Sequence, residues 1–133
     1  ESDAFVSVIT FLKYDLLVQT AKEVLIPTAT ERDVAVILAS PLHFGLLGSK
    51  RDAWMKSGRF ADLYPKLDKV EALLADEPGD MPDTGLRYLL SDPQVSMILT
   101  GAANTTELET STAVSDGRHL SPELIARINA IPS

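Results

Sequence analysis

Three stretches of the chain are apolar almost without interruption, and each is short. Phe5-Val6-Ser7-Val8-Ile9-Thr10-Phe11 is rich in β-branched and aromatic residues, Val34-Ala35-Val36-Ile37-Leu38-Ala39 is closed by Ser40-Pro41, and Val95-Ser96-Met97-Ile98-Leu99-Thr100 has the same character. Runs of this length predict strands over residues 5–11, 34–39 and 95–100, apolar enough to be buried on both faces. Between them the apolar spacing turns helical. Residues 18–32 place Ala21, Val24, Leu25 and Ala29 at helical intervals around Pro27, whose missing N–H should bend or split the helix. Residues 66–75 carry Leu67, Val70, Leu73 and Leu74 and stop before Pro78-Gly79, and a short helix over 82–90 follows with Asp80 placed to cap it. Residues 101–104 turn into a helix beginning near Thr105. A last helix over 122–131 has Ser121 at its N-cap and Glu123 in its first turn, where a carboxylate suits the helix dipole. Residues 42–64, with Gly45, Gly48 and Gly58 among scattered charges, read as a long excursion without assigned structure, and long loops in compact domains are often functional.

Strand, helix, strand implies a parallel pair joined by a right-handed crossover, so the fold class is α/β. Three strands, however, leave two open edges and one face without cover, and such an edge invites pairing. A chain of 133 residues, 45% hydrophobic, is one domain (1–133) and excludes a two-domain enzyme with a separate cofactor module. It is also too short for a complete (β/α)8 barrel of about 250 residues, and the strand count fits the last part of one. Charge narrows the partners: 19 acidic against 12 basic residues give a formal net charge of -7, which opposes binding to nucleic acid or to anionic lipid. No apolar run approaches the roughly 20 residues of a membrane-spanning helix. Without cysteine there is no disulfide framework, and a cytoplasmic location is the expectation. Glu1-Ser2-Asp3-Ala4 is neither a basic leader nor an initiator Met, so no signal peptide is expected and the start reads as internal.

The order of four motifs carries a resemblance. Tyr14-Asp15-Leu16-Leu17, then Val36 to Leu42 with Gly45-Leu46-Leu47, then Leu86-Arg87-Tyr88-Leu89-Leu90, then Ile98-Leu99-Thr100-Gly101-Ala102 together resemble the C-terminal half of aldo-keto reductases over nearly the whole chain. The Ala-Ser-Pro-Leu strand end with its Gly-Leu-Leu loop is most similar to the sugar-dehydrogenase branch, which contains L-galactose, L-fucose and D-threo-aldose dehydrogenases. The resemblance implies that the three strands are the sixth to eighth of a TIM barrel. It also implies that the family's catalytic Asp, Tyr, Lys and His lie on earlier strands, so no catalytic residue is carried over onto this chain.

Cofactor residues are implied instead. Ser40-Pro41-Leu42 lies where a βα loop leaves the C-terminal end of a strand, the end at which barrel enzymes place their sites. In the family this loop straps across the cofactor pyrophosphate with backbone amides and small hydroxyls, which makes Ser40, Pro41, Leu42 and the flexible Gly45 candidate contacts. A strand stopped by proline and a loop that needs glycine would explain the same letters. Where relatives stack an aromatic residue on the nicotinamide stands Ala39, and where they place a carboxamide-binding Gln stands Thr10 or Phe11, each also an ordinary strand residue.

After the third strand the resemblance implies the adenosine end of the cofactor, at a helix N-terminus with free N–H groups, on Gly101, Ala102, Ala103, Asn104, Glu107, Thr110 and Ser111. No Lys or Arg in 101–111 is present to clamp a 2′-phosphate, whereas Glu107 would repel one and accept hydrogen bonds from ribose hydroxyls. Of NAD and NADP, NAD is therefore favoured. The family's adenine-binding Glu-Asn pair falls at Thr110-Ser111, a departure that bears on adenine recognition, and an ordinary capped surface helix is the alternative.

The rest of the chemistry is sparse. His43 and His119 are not paired with nearby carboxylates at metal-ligand spacing, so no metal is expected. Asp62, Asp68, Glu71, Asp76, Glu77 and Asp80 read as a solvated acidic belt. Trp54, Phe60 and Tyr64 suit either the wall of a pocket for a sugar or carbonyl substrate or satellite core packing. Two functions remain. One is the cofactor-binding part of an NAD(P)-dependent oxidoreductase acting on aldoses, aldehydes or ketones, inactive without its catalytic half. The other is a stand-alone half-barrel acting as an interaction module. The expected partner is accordingly the missing N-terminal half-barrel or a second copy of the chain.

Overall fold

The computed structural model describes residues 5–132. Strands β1 (Ser7–Phe11), β2 (Ala35–Ala39) and β3 (Met97–Leu99) form one parallel sheet in chain order. The expected parallel pairing is observed, although each strand is shorter than its apolar run. The register sets Ile9, Ile37 and Met97 in one row, Thr10, Leu38 and Ile98 in the next, and Phe11, Ala39 and Leu99 in the third. Successive rows point to opposite faces.

The uninterrupted apolar runs suit burial on both faces, while the strand count leaves one face without cover, and the structure shows the latter. Val36, Leu38 and Thr10 are buried on the face covered by helices, while Ile9, Phe11, Met97 and Leu99 on the other remain 59%, 49%, 52% and 44% exposed. These side chains stay open to solvent, with the Phe44 ring approaching that face at its Phe11 end. The apolar runs therefore mark a sheet with apolar side chains on both sides and cover on one.

Between β1 and β2 the expected helix is split. A single 3-10 turn (Thr20–Lys22) precedes α1 (Leu25–Glu31), and Pro27 sits in the first turn of α1, where its missing N–H removes no helical bond. The excursion after β2 is not structureless: a 3-10 turn (His43–Gly45), α2 (Arg51–Ser57) and a second 3-10 turn (Ala61–Leu63) lead into α3 (Tyr64–Leu74), which begins two residues earlier than its apolar pattern. Pro65 in the first turn of α3 explains that early start, since proline is preorganised there.

Three caps act as the sequence requires. Asp80 accepts from the Asp83 N–H to start α4 (Met81–Leu90), Asn104 accepts from the Glu107 N–H to start α5 (Thr105–Ala113), and Ser121 accepts from the Leu124 N–H to start α6 (Pro122–Asn129). The core gathers Leu16, Ile26, Val36, Leu38, Leu67, Tyr88, Leu89 and Ile128 on the covered side of the sheet. Buried Arg87 pins α4 to the chain beyond α5 by a bidentate pair with Asp116 and a bond to the Arg118 carbonyl, while its bond to Asp83 stays within α4. No helix of the described residues is long and apolar enough to cross a membrane.

Candidate functional site

The strap that follows β2 is bent by a series of left-handed residues: Ser40 (φ 59°), His43 (48°), Phe44 (55°) and Gly45 (82°). Only glycine adopts this region without steric cost, so three of these four positions are strained. A Cβ at Gly45 would also stand a tight 3.2 Å from that of Lys50. Tight carbonyl contacts close the turns, with Gly45 N–H donating to Leu42 O and Leu46 N–H to His43 O. The Gly45 amide is thus engaged within the strap, and its contribution is the turn, not a free anion donor.

The strap faces the segment that follows β3 across a cleft of ≈ 560 Å³ at the C-terminal ends of the two strands, within the roughly 300–1,000 Å³ of small-molecule sites. Ser40, Pro41, Leu42 and Gly45 line one side, and Gly101, Ala102, Ala103, Glu107, Thr110 and Ser111 line the other. Of the residues singled out from the sequence, Asn104 is the exception: its carboxamide oxygen turns inward to cap α5. Glu107 is also partly committed, because its carboxylate accepts from the Ala103 N–H at 2.8 Å. That bond, with the Ser49 hydroxyl and the Lys50 charge, holds the Glu107 carboxyl below the usual range.

Lys50 lines the same cleft and was invisible to a search confined to residues 101–111, since it comes from the strap. The signal was Gly48-Ser49-Lys50, a small-residue run ending in a cation just after the candidate loop. Thr10, considered for a ligand amide, is buried on the helix-covered face and is removed from the cleft by the strand's alternation. Phe11 stands on the open face with its ring edge-on to Phe44 at 5.1 Å. Trp54, Phe60 and Tyr64 form a knot: Arg59 lies over the rings of Phe44, Trp54 and Phe60, the Trp54 indole N–H donates to Phe44 O, and the Tyr64 hydroxyl donates to Arg59 O. This packing fixes the strap from its outer side.

His43 has a carboxylate partner distant in sequence. Its Nδ1 lies 2.8 Å from Oδ2 of Asp15, a carboxylate 28 residues away in sequence, and both are buried. Oδ1 of Asp15 meanwhile accepts from the Leu17 and Val18 N–H groups. The pairing escaped notice because only local spacing was considered, although a lone carboxylate in Tyr14-Asp15-Leu16-Leu17 needs a partner when it is buried. Among the described residues no group of His, Cys, Asp and Glu is arranged to hold a metal.

A model of the aldo/keto reductase family matches residues 5–132. The chain belongs to that family. Its cleft lies where a parallel α/β sheet presents ligands, beyond the carboxyl ends of the strands. Among curated relatives, the uncharacterized oxidoreductase YqkF of Bacillus subtilis (strain 168) is 23% identical over 112 residues, covering 79% of this chain and 37% of that protein. Among solved structures, the holo form of the aldo-keto reductase AKR11C1 from Bacillus halodurans shares the fold with a TM-score of 0.73 at 19% identity, over 95% of this chain and 43% of the other. This aldo/keto reductase chain therefore spans less than half the length of both.

Proposed function

We propose that the chain is the cofactor-binding part of an NAD(P)-dependent aldo/keto reductase, corresponding to the sixth to eighth strands of the barrel. The observation that carries this reading is the convergence of two sequence-distant segments, 40–50 and 100–111, on one cleft. The residues present fit an anionic dinucleotide. Lys50 supplies a cation, Ser40 and Ser49 supply hydroxyls, and Gly101, Ala102 and Ala103 leave room for a close approach. When bound, the nicotinamide would give or take the hydride. The chain's own residues would hold the dinucleotide along the cleft. Glu107 opposes a 2′-phosphate at the α5 end, which favours NAD over NADP, with Lys50 as the counterweight.

The acid–base group and the substrate pocket belong in this reading to the N-terminal part of the barrel. The sugar-dehydrogenase branch, with an aldose or another small carbonyl compound as substrate, rests on the Ala39-Ser40-Pro41-Leu42 strand end and its Gly45-Leu46-Leu47 loop. Membership of the family along 5–132 does not favour the stand-alone interaction module.

Titration of the chain with NADH and NADPH, followed by nicotinamide fluorescence, tests the proposal. Saturable binding with NADH the tighter ligand is expected, without turnover on aldoses or aldehydes, because the proton-transfer assistance of a positioned acid is missing. Absence of saturable binding to either dinucleotide would overturn the cofactor reading. Turnover that tracks with the intact chain would overturn the division of labour.

A further inference from the structure

The geometry points to Asp15 as a positioning residue that, through His43, holds the strap at residues 40–45 in the shape the cleft requires. The pair sits beneath the strap and away from the cleft, since neither Asp15 nor His43 lines it. Asp15 is fully buried, and its two oxygens divide their work: one fixes the chain after β1 through the Leu17 and Val18 N–H groups, and the other meets His43 Nδ1. This joins two loops that leave neighbouring strands at the same end of the sheet. Nearby Lys66, itself buried, and Tyr88 are the other titratable groups that feel the Asp15 charge.

A strap with left-handed Ser40, His43 and Phe44 keeps that shape only if its surroundings over-determine it. From outside, the Trp54 indole N–H grips the Phe44 carbonyl. From within, the Asp15 carboxylate meets His43, and the His43 ring is wedged edge-on against Phe60 at 4.8 Å. The strap so held presents Ser40, Leu42 and Lys50 to the cleft. The ligand's identity rests on the dinucleotide reading above, whereas the holding of the strap does not.

The test uses the full chain. His43→Phe keeps a ring against Phe60 and removes the nitrogen, Asp15→Asn keeps an acceptor for the two backbone N–H groups and offers an amide to Nδ1, and Tyr14→Phe removes a buried hydrogen bond to Asp92 remote from the strap. The chain's single tryptophan makes its indole N–H resonance a reporter of the strap. We expect His43→Phe to weaken NADH binding about tenfold and to move the Trp54 resonance. Asp15→Asn should leave both close to the parent's values, and Tyr14→Phe should lower stability without moving either. Wild-type affinity together with an unmoved Trp54 resonance in His43→Phe would overturn the inference.

If the parent chain binds no dinucleotide, the cofactor reading fails and the Trp54 resonance alone decides whether the pair holds the strap. If His43→Phe does not fold, amide exchange in the parent decides instead. The Leu17 and Val18 amides, bonded to Asp15, should open together with the Gly45 and Leu46 amides of the strap. Strap amides that exchange while Leu17 and Val18 stay protected would overturn the inference.

Discussion

The two faces of the sheet are built from the same kind of residue and have opposite fates. Val36 and Leu38 on one face are sealed under α1 and α4 by the surrounding core, while Ile9, Phe11, Met97 and Leu99 on the other stand open. Strand composition therefore reports which faces are meant to be covered and says nothing about what covers them. Fully burying a large apolar side chain is worth roughly 1.5–3 kcal/mol, and with these four about half exposed the combined loss is comparable to the lower end of a domain's net stability of about 5–15 kcal/mol. The open face is also continuous with the candidate site through Phe11 and Phe44, so whatever covers it also closes the cleft's inner end.

The largest expected effect separates the faces directly. Leu38→Ala should cost about 2–5 kcal/mol in urea denaturation, as buried leucines do. Ile9→Ala should cost less than about 0.5 kcal/mol for as long as its face is bare. An Ile9 penalty as large as that of Leu38 and independent of chain concentration would break the comparison. A penalty that appears only on association would sharpen it.

A smaller effect is expected at the helix caps of the covered side. Ser121→Ala removes the acceptor for the Leu124 N–H at the start of α6, whose Leu124 and Ile128 enter the core, and should cost about 1 kcal/mol. An unchanged urea midpoint would show that α6 contributes little to the core's cover.

Acid should act on the same side. The Arg87 guanidinium holds the Asp116 carboxyl well below the usual carboxylate range. A depressed folded-state pKa contributes stability that is fully present above the unfolded value of about 3.9 and is lost as pH falls further. Asp116→Asn should therefore flatten the stability profile below about pH 4 and leave the slope near neutral pH unchanged. A steep acid limb that persists in the variant would assign the acid sensitivity elsewhere.

Much of this was legible in the sequence. The parallel strand order and the caps at Asp80 and Ser121 follow from signals whose physics is local, apolar runs and capping side chains, whereas the grouping of the Ser40 and Gly101 loops was implied by the family resemblance. What escaped was set by contacts between distant positions. Lys50 reaches the cleft through a strap whose turns no periodicity reveals, and His43 finds Asp15 only because two strand ends lie side by side. The bare face, by contrast, was legible from the strand count, since three strands leave one face without cover, although an apolar run alone does not distinguish a side chain that is buried from one that awaits burial. Helix α2 escaped because glycines and charges mask a segment stabilised by the Arg59 aromatic knot and not by an amphipathic face.

Sedimentation velocity of the purified chain at micromolar concentration, with unfolding followed on the same sample, tests the central claim that the open face belongs to an incomplete barrel. The account predicts that the folded form is found only in association, either with the rest of the barrel or as a pair of copies joined over Ile9, Phe11, Met97 and Leu99. A well-folded monomer with cooperative unfolding would contradict it.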